Sequence, residues 1–259
     1  MPRKDEVPVP GRNACRALFT HRPEAILRVF VTRERAREFG DLLRHCAARR
    51  LPYRVVPADQ VGAVSRTRHH EGICVVARPL EPVPVERLGS ARGPACVLGL
   101  VGVANPHNVG AILRTAAHFG AGGILLAGGP ARLSAAALRT AEGGAERVPW
   151  ARPDDLGAAL KSLRERGYAV YATSGREGHD LFRADLPGRV VLLLGSEGSG
   201  LPDRVLRGAD RVVRVPGTGW VESLNVATAA GVLLAEWWRR SRPGRAPAPR
   251  GKEEGRFRR

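Results

Sequence analysis

The sequence predicts an α/β protein in two parts: a small α/β domain over residues 11–80 and a larger one over 95–241 built on a mostly parallel sheet. Three features point there. Amphipathic stretches with helical spacing alternate with short apolar runs along most of the chain. In the second part the runs are apolar without alternation, as in Ala95-Cys96-Val97-Leu98-Gly99-Leu100, which suits strands covered on both faces. Between the parts stand Pro79, Pro82, Pro84 and Pro94 with Gly89 and Gly93, so residues 81–94 read as an extended linker.

Taken in order, residues 1–10 are proline-rich and read as a disordered start. A short helix is expected from Gly11 through Phe19, then a strand at Ile26–Val31. An amphipathic helix follows from about Arg33 to Arg50, with Ala36, Phe39, Leu42, Leu43 and Cys46 spaced by threes and fours. Strands at Tyr53–Val56 and Ile73–Val76 complete the small domain. The large domain opens on the strand at 95–100. It continues with a helix from Val109 to Phe119, a strand at Ile124–Leu126 and helices near Ser134–Thr140 and Asp154–Arg166. Strands at Tyr168–Thr173, Val190–Leu194 and Val212–Val215 precede a last helix from near Ser223 to Arg240. Residues 242–259, rich in Pro, Gly and Arg, read as a disordered basic tail.

Of the 259 residues 43% are hydrophobic and 26% charged, enough apolar matter for a real core. No apolar run reaches the roughly 18 residues that a membrane helix needs, and the opening Met1-Pro2-Arg3-Lys4-Asp5-Glu6 has no apolar leader. Cys15, Cys46, Cys74 and Cys96 lie far apart, without C-x-x-C or zinc-type histidine spacing. A cytoplasmic protein with no metal site and no membrane partner is expected.

The net charge is +17, with 42 Lys and Arg against 25 Asp and Glu, and this excess points to polyanions, RNA or DNA before membranes. An arginine-rich coding bias is the bland alternative. It should spread arginine evenly, whereas residues 1–80 carry +8, residues 81–241 only +4, and the last 18 residues +5. The excess at the two ends favours a polyanion-binding front domain and tail.

Three loop segments carry the chemistry, each directly after a strand of the large domain, where open α/β sheets gather their sites. In Asn105-Pro106-His107-Asn108-Val109-Gly110-Ala111-Ile112-Leu113-Arg114, Asn108 reads as a helix N-cap. Arg114 interrupts an apolar helix, either turned outward or aimed at a phosphate or carboxylate. The second segment, Leu194-Gly195-Ser196-Glu197-Gly198-Ser199-Gly200-Leu201-Pro202, is a glycine turn before a proline suited to a first helical turn. Its order is G-x-x-G-x-G, not the dinucleotide G-x-G-x-x-G, and a carboxylate within the turn argues against cradling phosphate. The third segment is Val215-Pro216-Gly217-Thr218-Gly219-Trp220-Val221-Glu222-Ser223-Leu224-Asn225-Val226-Ala227. Here Ser223 reads as the N-cap of the last helix, and Asn225 sits unusually in its first turn.

In order, loop content and spacing these segments resemble the three motifs of the SpoU/TrmH family of RNA ribose 2′-O-methyltransferases, within the SPOUT superfamily. The segment before them, with His69-His70-Glu71-Gly72-Ile73, is similar to the small substrate-binding domain many members carry, itself similar in fold to ribosomal protein L30e. The resemblance implies S-adenosylmethionine as methyl donor, a trefoil knot in the large domain, an RNA partner and a homodimer. It maps the family's polar catalytic set onto Asn108, Arg114, Glu197, Ser223 and Asn225. The methyl donor's loop maps onto Leu194, Gly195, Gly198, Val215, Pro216, Gly219, Leu224 and Asn225. Gly217 stands where many relatives have methionine, and Ala227 where they often have a second serine.

By the same resemblance Arg114 would pin the target phosphate and steady the developing alkoxide, since a guanidinium stays protonated and makes a poor base. Glu197 would orient Arg114 or Asn225, and Ser223 or Asn225 would bond the hydroxyl. The apolar last helix, with Val232, Leu233, Leu234, Trp237 and Trp238, suits either core packing or a dimer seam. The competing class is a non-catalytic RNA-binding or assembly factor that uses the large domain as a dimer scaffold.

Overall fold

The computed structural model describes residues 5–89 and 93–241, so the tail at 242–259 and residues 1–4 lie outside the described residues. The small domain comprises β1 (Val7–Pro10), α1 (Arg12–His21), β2 (Ile26–Val31), α2 (Arg33–Ala36), α3 (Gly40–Ala48), β3 (Tyr53–Val55), α4 (Ala58–Ser65) and β4 (Ile73–Ala77). Its four strands lie in the order β1-β4-β2-β3, with β2 and β3 parallel and the other pairs antiparallel.

Three expectations are corrected here. Residues 7–10 are not disordered: they form edge strand β1, with Val9 opposite Val75 and buried. An edge strand tolerates Pro8 and Pro10, which lack a donor for a second neighbour. Glu6 is also held by both terminal nitrogens of Arg28, at 2.9 and 2.6 Å. The helix expected over 33–50 is two helices, because the chain leaves helical geometry at Phe39 (φ −103°, ψ 25°). That break sends the Phe39 ring into the core, with the Arg16 guanidinium 4.5 Å from its centroid. Finally, residues 81–94 are no free spacer. Leu88 is fully buried in the large domain, and Arg166 donates to the carbonyls of Val85 and Leu88 at 3.3 and 2.6 Å.

The large domain continues through β5 (Ala95–Val101), α5 (Pro106–Phe119), β6 (Gly123–Ala127), α6 (Ala135–Thr140), β7 (Trp150–Ala151), α7 (Leu156–Glu165), β8 (Ala169–Thr173), β9 (His179–Asp180), β10 (Arg189–Gly195), α8 (Asp203–Arg207), β11 (Arg211–Arg214) and α9 (Val226–Ser241). Its seven strands run in the order β7-β6-β5-β10-β8-β11-β9, and each neighbouring pair is parallel. Alternate strand residues serve two cores. Cys96, Leu98, Leu100, Val190, Leu192 and Leu194 pack with Val109, Ile112 and Leu113 of α5 and Ala230, Leu233 and Leu234 of α9. Val97, Val191 and Leu193 pack on the other face with Ala159, Leu160 and Leu163 of α7. Helices on both faces explain why the strands read as unbroken apolar runs.

The domains meet through charge and close backbone contact. Arg22 grips the nearly buried Glu146 at 2.7 and 2.9 Å, and Asn13 donates to Glu142 at 2.7 Å. Gly143 (φ +87°) lies so close to α1 that an added Cβ would stand 2.6 Å from Cβ of Ala17. Among the described residues no helix is long and apolar enough to cross a membrane, and no His, Cys, Asp and Glu group could hold a metal ion.

Candidate active site

In the large sheet, strand order reverses where β5 lies beside β10: β6 and β7 extend one way, β8, β11 and β9 the other. Such a switch point opens a crevice at the carboxyl ends of the strands. The loops after β5 and β10 flank it, and the loop after β11 reaches the same edge. Each of the three sequence segments therefore delivers one polar side chain to one place.

Asn105 caps α5, its Oδ1 accepting from the backbone N of His107 at 2.9 Å, with Pro106 at the first helical position. Asn108 is thus not the cap: its side chain, 9% exposed, is free to leave the helix. It donates from Nδ2 to Oε1 of Glu197 at 2.9 Å. Asn225 is correspondingly the residue that caps α9. Its Oδ1 accepts from the backbone N of Ala227 and of Thr228 at 2.9 and 3.3 Å, so α9 opens at Val226 and not at Ser223. With Oδ1 so occupied, Nδ2 faces the crevice and donates to Glu197 Oε1 at 2.5 Å and to Asn108 Oδ1 at 3.2 Å. The result is a closed cluster of two amides and one carboxylate, drawn from the first turn of α5, the turn after β10 and the cap of α9.

Arg114 and Ser223 are not in that cluster. Arg114 lies six residues past Asn108 on α5, about 9 Å along the axis and on another face. It is solvent-exposed and makes no side-chain hydrogen bond or ion pair among the described residues. Ser223 is exposed as well, resting against the turn at Gly175, where an added Cβ would stand 3.3 Å from its own.

The donor-loop residues fall into two groups. Leu194 is buried at the end of β10, and Val215 packs on the core of the α5 face. Gly195 is required by close approach: a Cβ there would lie 2.0 Å from the carbonyl carbon of Gly200, because the turn folds back to pair Ser196 with Gly200. By contrast Gly198 (φ +94°) and Gly219 (φ +83°) have open space where a side chain would stand, leaving their backbone amides accessible. Gly217 also faces open space, so a methionine there would fit without a clash. Pro216 is half-buried and Leu224 42% exposed.

Sequence reasoning missed Asn105, although Asn before Pro at a helix start is the cap-then-N1 signature. It also passed over Thr173, whose Oγ1 donates to the Leu193 carbonyl at 2.8 Å and ties β8 to the end of β10. No motif signals that contact.

Comparison with known proteins agrees with this architecture. The sequence model described as the SpoU rRNA Methylase family matches residues 95–235, and the one described as RNA 2′-O ribose methyltransferase substrate binding matches residues 8–83. The chain is 42% identical over 241 residues, 93% of its length and 70% of the relative's, to the Escherichia coli O157:H7 protein named uncharacterized tRNA/rRNA methyltransferase YfiF. It is 34% identical to the 23S rRNA (guanosine-2′-O-)-methyltransferase RlmB of Ralstonia nicotianae, over 87% of this chain and 92% of the relative. In solved structures it resembles the AdoMet-bound rRNA methyltransferase of Sinorhizobium meliloti, at a TM-score of 0.76 and 26% identity, covering 91% and 87% of the two chains. A parallel α/β sheet, a polar cluster at its switch point and matches to both family descriptions make this chain a member of the SpoU rRNA methylase family, an S-adenosylmethionine-dependent RNA 2′-O-ribose methyltransferase.

Proposed function

We propose that the protein methylates a ribose 2′-hydroxyl of structured ribosomal RNA, acting as a homodimer in the cytoplasm with its large domain knotted. The observation that carries this is the cluster of Asn108, Glu197 and Asn225 at the crevice. Ribosomal over transfer RNA is supported by the likeness to the Ralstonia enzyme, which runs through both domains.

The residues of the donor loops fit S-adenosylmethionine: Gly198 and Gly219 have open space where side chains would stand, Gly195 lets the turn close back on Gly200, and Leu194 and Val215 offer apolar walls. When bound, that cofactor supplies an electrophilic methyl on a sulfonium, so the chain's task is to align and deprotonate a weak nucleophile. Glu197 accepts both amides on Oε1, which leaves Oε2 without a partner among the described residues and open to solvent. In this reading Oε2 accepts a hydrogen bond from the 2′-hydroxyl, while Asn108 and Asn225 hold the carboxylate still. Of the two partners expected for Glu197, the cluster contains Asn225 and not Arg114. Arg114 keeps an unspent guanidinium for the phosphate beside the target ribose and for charge developing on its oxygen. Ser223, two residues before Asn225, lines the entry.

The half-buried Trp238 and Val232 on α9, with Phe119 on α5, form the face assigned to the second copy. Mapping 2′-O-methylation across total RNA, with and without the protein, tests the whole reading. One lost ribosomal site is expected; an unchanged map refutes it. Light scattering at micromolar concentration tests the dimer, which a mass near 28 kDa contradicts.

A further inference from the structure

We infer that Trp220 is a stacking platform for an RNA base at or next to the target nucleotide, an assignment that rests on the proposed RNA substrate. Its relative exposure is 91%, in a protein whose other tryptophans are buried (Trp150, Trp237) or half-buried (Trp238). Indole is large and apolar and is ordinarily packed, so near-complete exposure in the loop that also carries Asn225 points to an occupant.

Position supplies the occupant. Trp220 sits in the 215–225 loop, five residues before Asn225, so the indole and one member of the polar cluster share one loop. Gly217 and Gly219 flank it, each with no heavy atom within 4 Å of an added Cβ. Its own backbone N meets only Thr218 Oγ1, at a long 3.4 Å. Two residues on, Glu222 pairs with Arg176 at 3.8 Å, the two side chains being 87% and 86% exposed. The ring is therefore carried on a sparsely packed stretch with its faces unobstructed by the flanking residues. A 2′-hydroxyl within a folded RNA becomes reachable when its nucleotide is splayed out, and splayed bases are held by aromatic faces. The exposed, unpaired Arg114 of the same domain and the basic front domain at residues 1–80 favour a polyanion over a second protein copy as the occupant.

The test uses full-length protein, a structureless oligoribonucleotide and ribosomal RNA. Because Trp220 is the exposed indole, iodide quenching of tryptophan fluorescence reports on it. RNA is expected to shield it and S-adenosylmethionine alone is not. Trp220→Ala should weaken RNA binding by about ten-fold or more and raise KM for RNA, whereas Trp220→Phe should restore most of the loss. Cofactor affinity by calorimetry and the mass in solution should match wild type. RNA affinity within two-fold of wild type in Trp220→Ala, or quenching indifferent to RNA, overturns the assignment. So does a fall in cofactor affinity, which would make Trp220 part of the donor pocket, or a fall in mass, which would make it a dimer contact. Shielding and binding are read without turnover, so wild-type protein that shields Trp220 yet transfers no methyl group would refute the catalytic reading and leave this one standing.

Discussion

Asn225 and Glu197 are joined by a 2.5 Å hydrogen bond, and the same Asn225 side chain accepts two backbone N–H groups at the start of α9. One amide thus caps a helix and holds a carboxylate at once. The cap holds Oδ1, which forces Nδ2 towards the carboxylate. Substitutions can separate the two. Asn225→Ser retains a capping oxygen, so stability should stay within about 0.5 kcal/mol of wild type, while methyl transfer falls sharply. Asn225→Ala should lose transfer and also about 1 kcal/mol of stability. Urea denaturation and single-turnover methylation together check this; equal stability of the two variants would contradict the capping role.

Arg114 presents the opposite case, an exposed group with no partner to lose. Arg114→Ala should therefore leave stability within about 0.5 kcal/mol of wild type. Cofactor binding by calorimetry should be intact and turnover reduced by about a hundred-fold or more. Arg114→Lys should rescue little, because an ammonium lacks the planar fork that grips phosphate. Unchanged turnover in Arg114→Ala would remove this residue from the site.

Gly195 lies under the returning backbone of Gly200, with 2.0 Å available to a Cβ. Gly195→Ala must open the 196–201 turn or displace the end of β10. A destabilisation of about 1–3 kcal/mol is expected, with cofactor affinity falling further than stability alone explains. Gly198→Ala is the comparison: its side chain would meet open space, though at φ +94° the backbone itself resists a Cβ. Thermal melts with and without S-adenosylmethionine distinguish the two variants.

Much of this fold is legible in sequence because apolar runs mark buried parallel strands directly. The strand expected at Val190–Leu194 is Arg189–Gly195, and the helix expected near Ser134–Thr140 is Ala135–Thr140 with Ser134 as its cap. The failures share a cause: local chemistry allowed two answers and tertiary contacts chose. Ser223 and Asn225 are both capping types, and the bond to Glu197 favours the second. Pro8 and Pro10 look like loop residues until β4 supplies one partner and none is needed on the other side. The Arg33–Arg50 periodicity is real, yet burying Phe39 required breaking it. Least legible is the cluster itself, since Asn108 and Glu197 are 89 residues apart and meet only because β10 inserts beside β5.

A final prediction concerns acid. Glu236 on α9 is 6% exposed at its side chain and is bonded by Arg239 at 2.8 and 2.9 Å and by Arg240 at 2.6 Å. The hydrogen bonds from Arg239, and then from Arg240, hold its carboxyl down at about 2 against the opposing effect of burial. Arg240 in turn donates to the carbonyls of Leu181, Phe182 and Ala184, so the carboxylate orients the guanidinium that fastens the segment after β9 to α9. In the unfolded chain the same group titrates near 4.3. A depressed folded value means the stabilisation is complete above about pH 4.3 and disappears as pH falls towards about 2, because the unfolded state takes up the proton first. Glu236→Gln should cost about 2–3 kcal/mol at neutral pH. Its deficit relative to wild type should shrink steadily below pH 4.3, until the two chains converge near pH 2. Urea midpoints measured from pH 7 to pH 2 test this; a deficit that stays constant across that range would show that the carboxylate's charge contributes nothing.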